Sequence, residues 1–116
     1  MSVYEIVLSG IEAQIGADKL KEEYGSVIDE VVENITEVML SSAPTLRVAG
    51  ADRPREVVCA QFSRLRAAHA EAAIWGLRNR AAGDITDIKA YMRTLLYNSL
   101  FTLDSEISHK AAQQGY

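Results

Sequence analysis

The most constraining feature of the sequence is an amphipathic segment from residue 27 to about residue 41. Apolar residues recur there every three or four positions, whereas acidic residues fill the opposite face. Pro44 ends the segment, because a proline cannot continue the helical hydrogen-bond ladder. An apolar stripe of this kind has to be buried against other elements, which predicts helices packed around a shared core. The stripe consists of Val27, Ile28, Val31, Val32, Ile35, Val38 and Met39.

The stretch after Pro44 changes from helical to alternating periodicity. Residues 45–48 alternate polar and apolar side chains, and residues 49–52 supply turn-forming chemistry. This pattern predicts a short strand or a tight two-stranded hairpin, which needs support from the helices. Arg47 then points away from the core if its two neighbours point inward. Pro54 suits the first turn of the next helix.

Three further segments show helical patterns. We expect helices from Pro54, over residues 67–80 and from Asp84 onward, with a last helical turn over residues 104–113. The fold class is therefore mainly α, a compact bundle of about four to five helices with a short strand or hairpin after the first strong helix. We interpret residues 1–25 as an N-terminal extension with a short helix, and residues 26–116 as the helical domain. The expected buried side chains include Val57, Val58, Gln61, Phe62, Leu65, Ile74, Trp75, Leu77 and Tyr91.

The charge of the chain is distributed unevenly. The formal net charge is −4 over 116 residues, which taken alone argues against a nucleic-acid-binding protein. Residues 1–46, however, contain nine acids and two bases, whereas residues 47–93 contain nine bases and five acids. Such an asymmetry is a known sign of an electrostatic binding surface.

Features of an enzyme or a metalloprotein are weak in this sequence. Cys59 is the only cysteine, so an internal disulfide and a zinc site of CxxC type are excluded, and a reducing, cytoplasmic location is the expectation. His69 and His109 have no partner at metal-ligand spacing. We expect no catalytic residue, no metal and no other cofactor. A Cys59–His69 nucleophile pair is the enzymatic alternative.

Helix electrostatics divides the arginines into two groups. Four of them lie at predicted helix ends, where the helix dipole favours cations and a structural role suffices: Arg64, Arg66, Arg78 and Arg80. Arg53 and Arg55 flank Pro54 at a helix start, where the dipole disfavours positive charge. They are therefore better candidates for binding a partner's anion.

A second group of candidates lies in the last helical segment. Lys89, Arg93 and Tyr97 are spaced by four residues and so share one helix face. Two cations and an aromatic ring in line fit a phosphate backbone or a stacked base, and the alternative is a solvated face with a half-buried tyrosine. With Arg47, Arg53 and Arg55 they form the predicted binding site.

Two sequence blocks carry a resemblance to a known family. The first is PTLRVAGADRPREVV at residues 44–58, followed by QFSRL at residues 61–65 and by His69, and the second is ITDIKAYMRTLLYN at residues 85–98. In order and spacing they resemble the C-terminal domain of replication initiator A-type proteins of plasmids and integrative conjugative elements of Gram-positive bacteria. The resemblance covers roughly residues 27–100. Family members often continue with Ala-Pro where this chain has Ser99-Leu100, so the last helix is expected to run on.

The resemblance implies a non-enzymatic role in starting the replication of a mobile element. In that family a winged-helix domain binds the origin, and the C-terminal module contacts DNA or recruits the host replisome. The implied partners are DNA, a host primase or helicase-loading factor, or both, with no membrane contact. The resemblance also implies that the chain is a part of a longer initiator or a stand-alone relative.

One alternative from another class remains open. The chain could be a pure protein-docking or oligomerisation module without nucleic-acid contact, in which the acidic segment covers the basic one. In that case we expect a tight dimer.

Overall fold

The computed structural model describes residues 1–80 and 87–113, with side chains described as far as residue 103. Within these residues the chain forms six helices and one antiparallel hairpin, which confirms the predicted mainly helical fold with a hairpin after the first strong helix. The predicted helix start at Asp84 lies outside the described residues. The elements are α1 (Val3–Ile15), α2 (Ala17–Tyr24), α3 (Val27–Leu40), β1 (Thr45–Val48), β2 (Ala51–Pro54), α4 (Arg55–Phe62), α5 (Ala67–Arg78) and α6 (Ile88–Gln113).

Helix α3 is the centre of the bundle. Its Ile28, Val31, Ile35 and Val38 are almost completely inaccessible to solvent, as the amphipathic pattern predicts. Helices α1 and α2 contact α3, and so do α4 and α6. None of the helices in the described residues has the length and apolar content needed to cross a bilayer.

The first two helices belong to the same core as α3, although their segment was expected to be an N-terminal extension. Ile15 of α1 and Leu20 of α2 are buried in the common hydrophobic cluster. The side chain of Gln14 donates hydrogen bonds from Nε2 to the backbone oxygens of Phe62, at 3.0 Å, and Leu65, at 2.9 Å. These two bonds attach α1 to the end of α4 and to the connection that follows it, where the Phe62 oxygen also accepts a 3.1 Å bond from the backbone N–H of Leu65.

The hairpin has a two-residue turn. Ala49 and Gly50 both adopt positive φ angles, 53° and 79°, as the type I′ turn between twisted strands requires. The strands pair in the register Thr45↔Pro54, Leu46↔Arg53, Arg47↔Asp52 and Val48↔Ala51. Val48 is buried and Arg47 is exposed, so the predicted outward orientation of Arg47 is confirmed. Arg53, by the same register, lies on the inward face.

The predicted core is right for Phe62 and wrong for two other residues. Phe62 and its neighbours Val58 and Leu65 are fully buried. Trp75, by contrast, is 70% exposed, and Val57 of α4 is exposed as well. Helix α5 buries a stripe that includes Ile74, and Trp75 follows one residue later, about 100° around the helix from it. The alanine-rich sequence of α5 has no clear apolar stripe and did not indicate which face is buried.

Candidate functional site

Arg53 and Tyr97 connect the hairpin to α6. The Arg53 guanidinium carbon lies 4.6 Å from the centre of the Tyr97 ring, and its Nε donates a 2.8 Å hydrogen bond to the Val48 backbone oxygen. The register of the hairpin places Arg53 on the inward face, opposite α6. Tyr97 is only 8% exposed, so its ring is the surface on which the guanidinium rests. Two of the predicted site residues therefore meet directly.

Phe101 extends this contact and was missed by the sequence analysis. Its ring centre lies 5.0 Å from that of Tyr97, with the ring planes tilted by 57°. The Phe101 side chain is 48% exposed, so a guanidinium and two rings form a row that ends at solvent. The four-residue spacing from Tyr97 was the available signal, because residues i and i+4 share a helix face.

Lys89 and Arg93 are both paired with one carboxylate of α3. Lys89 Nζ lies 2.5 Å from Glu37 Oε1, and Arg93 Nη2 lies 3.6 Å from Glu37 Oε2. Glu37 was missed as a site residue, because the acidic face of its helix looked like an ordinary solvated face. The acidic segment of the chain thus opposes part of the basic segment within one molecule.

Asn34 fixes the position of Arg93. Arg93 Nε donates a 2.8 Å hydrogen bond to Asn34 Oδ1, while Asn34 Nδ2 donates a 2.9 Å bond to the backbone oxygen of Lys89. The Arg93 side chain is 20% exposed. Burial lowers the pKa of Arg93, whereas the carboxylates of Glu37 and Asp87 raise it. Arg93 is therefore a held, largely structural cation.

The two remaining predicted arginines lie at the hairpin's outer face and at the start of α4. Arg47 Nη1 lies 3.5 Å from Asp52 Oδ1 on the neighbouring strand, and the Arg47 side chain is 69% exposed. The Arg55 backbone N–H donates to the Pro44 oxygen at 3.1 Å. Its half-buried side chain lines a shallow cleft together with that of Glu56.

These residues form what we name the hairpin–α6 surface, although Arg47 and Arg53 lie on opposite faces of the hairpin. Its five cations are accompanied by four carboxylates, those of Glu37, Asp52, Glu56 and Asp87, which leaves an excess of one positive charge. Charge and an exposed aromatic ring suit it to an anionic partner that also presents flat apolar groups. The surface comprises Arg47, Arg53, Arg55, Lys89, Arg93, Tyr97 and Phe101.

Two of the other arginines contact backbone oxygens next to helices. Arg80 lies after the end of α5, as predicted, and its Nη1 donates to the Leu77 oxygen at 2.5 Å, a carbonyl group near a helix end. Arg66 was expected at the end of the preceding helix, but it is the N-cap residue of α5. Its Nη1 donates to the backbone oxygens of Ser63, at 3.0 Å, and Leu65, at 2.8 Å, in the connection between α4 and α5.

The side chains of Cys59 and His69 both contact backbone. Cys59 Sγ donates to the Val38 oxygen at 3.6 Å. His69 Nδ1 accepts a 2.9 Å hydrogen bond from the backbone N–H of Arg66 at the start of α5. These contacts give each residue a packing or capping role.

Comparison with known proteins identifies one family. No curated protein matches the chain significantly, and no solved structure does. Residues 1–114 match the model of a family of unknown function, DUF6017. The match includes α1 and α2 as well as the hairpin–α6 surface, and the chain therefore belongs to the DUF6017 family.

Proposed function

We propose that this chain is a non-enzymatic interaction domain of a mobile-element replication initiator, which contacts DNA, the host replisome, or both. The two sequence blocks that resemble such initiators support the proposal by their location. The block at residues 44–58 spans the hairpin and the start of α4, and the block at residues 85–98 lies mostly in α6. Together they supply all six predicted residues of the hairpin–α6 surface.

The observation that carries the DNA contact is the row of Arg53, Tyr97 and Phe101. The row offers a fixed guanidinium at one end and a 48% exposed ring at the other. Single-stranded DNA presents phosphates and unpaired bases, which bind to cations and stack on aromatic rings. A duplex keeps its bases stacked inside. We therefore favour single-stranded DNA as the nucleic-acid ligand.

The charge excess of one limits the electrostatic part of the binding. Each neutralised phosphate contributes a log–log salt slope of about −0.7 for single strands and −0.9 for duplex DNA. One uncompensated cation therefore gives slopes of about −0.7 and −0.9. Binding is expected to be weak at physiological salt and measurable at low salt.

The test is fluorescence anisotropy of labelled single-stranded and duplex DNA at ~50 mM salt, where phosphate contacts are least screened. The double variant Arg53→Gln/Arg55→Gln should weaken binding, whereas Arg78→Gln/Arg80→Gln, which removes the same charge elsewhere, should weaken it less. Equal losses in the two variants would mean that the hairpin–α6 surface is not the binding site. If the unaltered chain binds neither form of DNA, the proposed DNA contact is wrong.

A second candidate function is a pure protein-docking or oligomerisation module. The pairing of Glu37 with Lys89 and Arg93 favours it, because these cations already have an anionic partner within the chain. Sedimentation velocity distinguishes the two functions. A tight dimer that binds neither form of DNA supports the docking module, and a monomer that binds single-stranded DNA contradicts it.

A further inference from the structure

A groove on another side of the molecule lies between α2, α5 and α6. It encloses about 370 Å³ and is lined by residues that include Tyr24, Glu71, Trp75, Arg78 and Leu103. Leu103 follows Phe101 by two residues on α6, so their side chains point about 200° apart around the helix. The groove is therefore separate from the hairpin–α6 surface.

The groove is built from residue types that dominate the energetics of protein interfaces. Trp75 is the only tryptophan of the chain and is 70% exposed beside the groove. The Arg78 guanidinium carbon lies 5.2 Å from the centre of the Tyr24 ring, so both side chains are held in place before any partner binds. Tryptophan, tyrosine and arginine are the residues most enriched at interface hot spots. Their exposure together is unusual for a surface without a partner.

The edge of the groove is acidic. Burial raises the pKa of Tyr24, and the carboxylates of Glu71 and Glu23 raise it further, while Arg78 lowers it. Two carboxylates therefore lie near the ring, against the one guanidinium of Arg78, which keeps its charge in the contact with Tyr24. These three groups carry a net charge of −1, which favours a cationic ligand over an anionic one. Helix α2 also belongs to the strongly acidic first part of the sequence.

We propose that this groove docks a basic amphipathic helix of a partner protein. An apolar side chain of that helix would pack between Trp75 and Leu103, and its lysines or arginines would face Glu71 and Glu23. Anchors spaced along one helix face are the usual way in which a groove between helices recognises a peptide. The inference rests on the proposed function only in treating the chain as an interaction domain, and it does not depend on DNA binding.

The experiment uses the emission of Trp75 as its probe. A designed amphipathic peptide of leucine and lysine with helical spacing is titrated into the full chain, and a leucine–glutamate peptide of the same pattern serves as the counterpart. The lysine peptide should shift the emission to shorter wavelength with saturation, because docking removes the indole from water. The glutamate peptide should not.

A charge-reversing variant tests whether the groove is the site. Glu71→Lys should lower the affinity for the lysine peptide about fivefold, as expected for the loss of one surface ion pair. Glu30→Lys makes the same change in net charge on α3 and should leave the affinity within about twofold, since it lies outside the groove. If Glu71→Lys does not fold, as judged by circular dichroism, Glu71→Gln replaces it, with Glu30→Gln as its control.

Two outcomes would overturn the proposal. In the first, the shift of Trp75 emission does not saturate as the lysine peptide is added. In the second, the variants at positions 71 and 30 lower the affinity for that peptide equally. A shift caused by single-stranded DNA and strengthened by Glu71→Lys would make nucleic acid the occupant, which also contradicts the proposal. DNA binding is tested by the anisotropy of the Arg53→Gln/Arg55→Gln variant, and peptide docking is tested by the emission of Trp75. Failure of the proposed DNA contact can therefore be distinguished from failure of the docking site.

Discussion

The guanidinium of Arg53 rests on the ring of Tyr97, 4.6 Å from its centre, and this contact joins the two-stranded hairpin to the longest helix. A two-stranded hairpin is marginal by itself in water. Here it gains support from α6 through a cation–π pair and from the buried Val48. The same contact holds in place the row of side chains to which we attribute the binding of a nucleic-acid base.

The Arg53–Tyr97 contact should be measurable by a double-mutant cycle. Arg53→Ala, Tyr97→Leu and the double variant are expected to show a coupling free energy of about 0.5–2 kcal/mol, the range for cation–π pairs from exposed to desolvated sites. Urea denaturation followed by circular dichroism provides the four free energies of unfolding, those of the unaltered chain and the three variants.

Arg47 is the matched control for this cycle. It lies one strand away and is 69% exposed, and its ion pair among the described residues is with Asp52, so Arg47→Ala should change the stability by less than about 0.5 kcal/mol. A coupling between Arg53 and Tyr97 that is indistinguishable from zero would show that the cation–π contact does not stabilise the hairpin.

Glu37→Gln should strengthen DNA binding. Removing this carboxylate frees one positive charge on Lys89 and Arg93, so the log–log salt slope for duplex DNA should steepen from about −0.9 to about −1.8. Anisotropy titrations at several salt concentrations measure the slope. Glu22→Gln changes the net charge equally on α2, away from these cations, and should leave the slope unaltered. Equal slopes for the two variants would contradict the prediction.

The parts of the fold that sequence predicted well are those with a strong local signal. Helix α3 has a clear apolar stripe, and the hairpin has alternation followed by a turn containing glycine. Helix α2 lies in the segment that we interpreted as an N-terminal extension, because its sequence is mostly polar. Its buried residues are Ala17 and Leu20. Its burial depends on where α1 and α3 place it, which no local pattern records.

Asn34→Ala should destabilise the fold by about 2–4 kcal/mol. The buried amide makes one hydrogen bond to the charged Arg93 and one to the backbone of Lys89, and removal leaves both partners short of a bond. Thermal and urea unfolding measure the loss. Glu33→Ala, at the exposed preceding position, should stay within about 0.5 kcal/mol. If Asn34→Ala changed the stability as little as Glu33→Ala does, water would be making the hydrogen bonds that the amide makes in the unaltered chain.

Two glycines within helices should respond differently to alanine. Space is open around Gly10 in α1, so Gly10→Ala should stabilise the chain by about 0.5–1 kcal/mol through helix propensity. A Cβ atom at Gly76 of α5 would lie 3.0 Å from Leu95 Cδ2, so part or all of this gain should be lost there. Thermal unfolding compares the two. A larger gain at Gly76 would show that α5 and α6 separate easily.

The turn of the hairpin can be improved. Ala49 adopts a φ of 53°, which is unfavourable for alanine and well tolerated by asparagine. Because asparagine–glycine is the preferred pair for this turn, Ala49→Asn should raise the stability by about 0.5–1 kcal/mol. Ala51→Asn places the same side chain in β2 and should not. A decrease for Ala49→Asn would mean that packing of the alanine methyl group outweighs the turn preference.

The candidate site was only partly predictable, because its contacts join distant parts of the chain. The spacing of Lys89, Arg93 and Tyr97 identified one face of α6. The partners on α3 could not be inferred, since the Arg93–Asn34 bond spans 59 residues. Trp75 was assigned to the core because it lies within a mostly apolar helical segment. Its exposure follows from how α5 is rotated against α6, which is a property of the packed bundle.

The bridge from Glu37 to Lys89 and Arg93 has a consequence for the kind of ligand that can bind there. The Glu37 carboxylate is held beside the two cations and competes with any ligand for them. Its effective concentration there is far above that of a free ligand, since even a flexible tether gives a value in the millimolar range. A single phosphate or a mononucleotide competes poorly with it. A polymer that touches several sites at once displaces it through its combined contacts. If the surface binds an anionic partner as proposed, the bridge makes it select a long anionic chain over the isolated units of that chain.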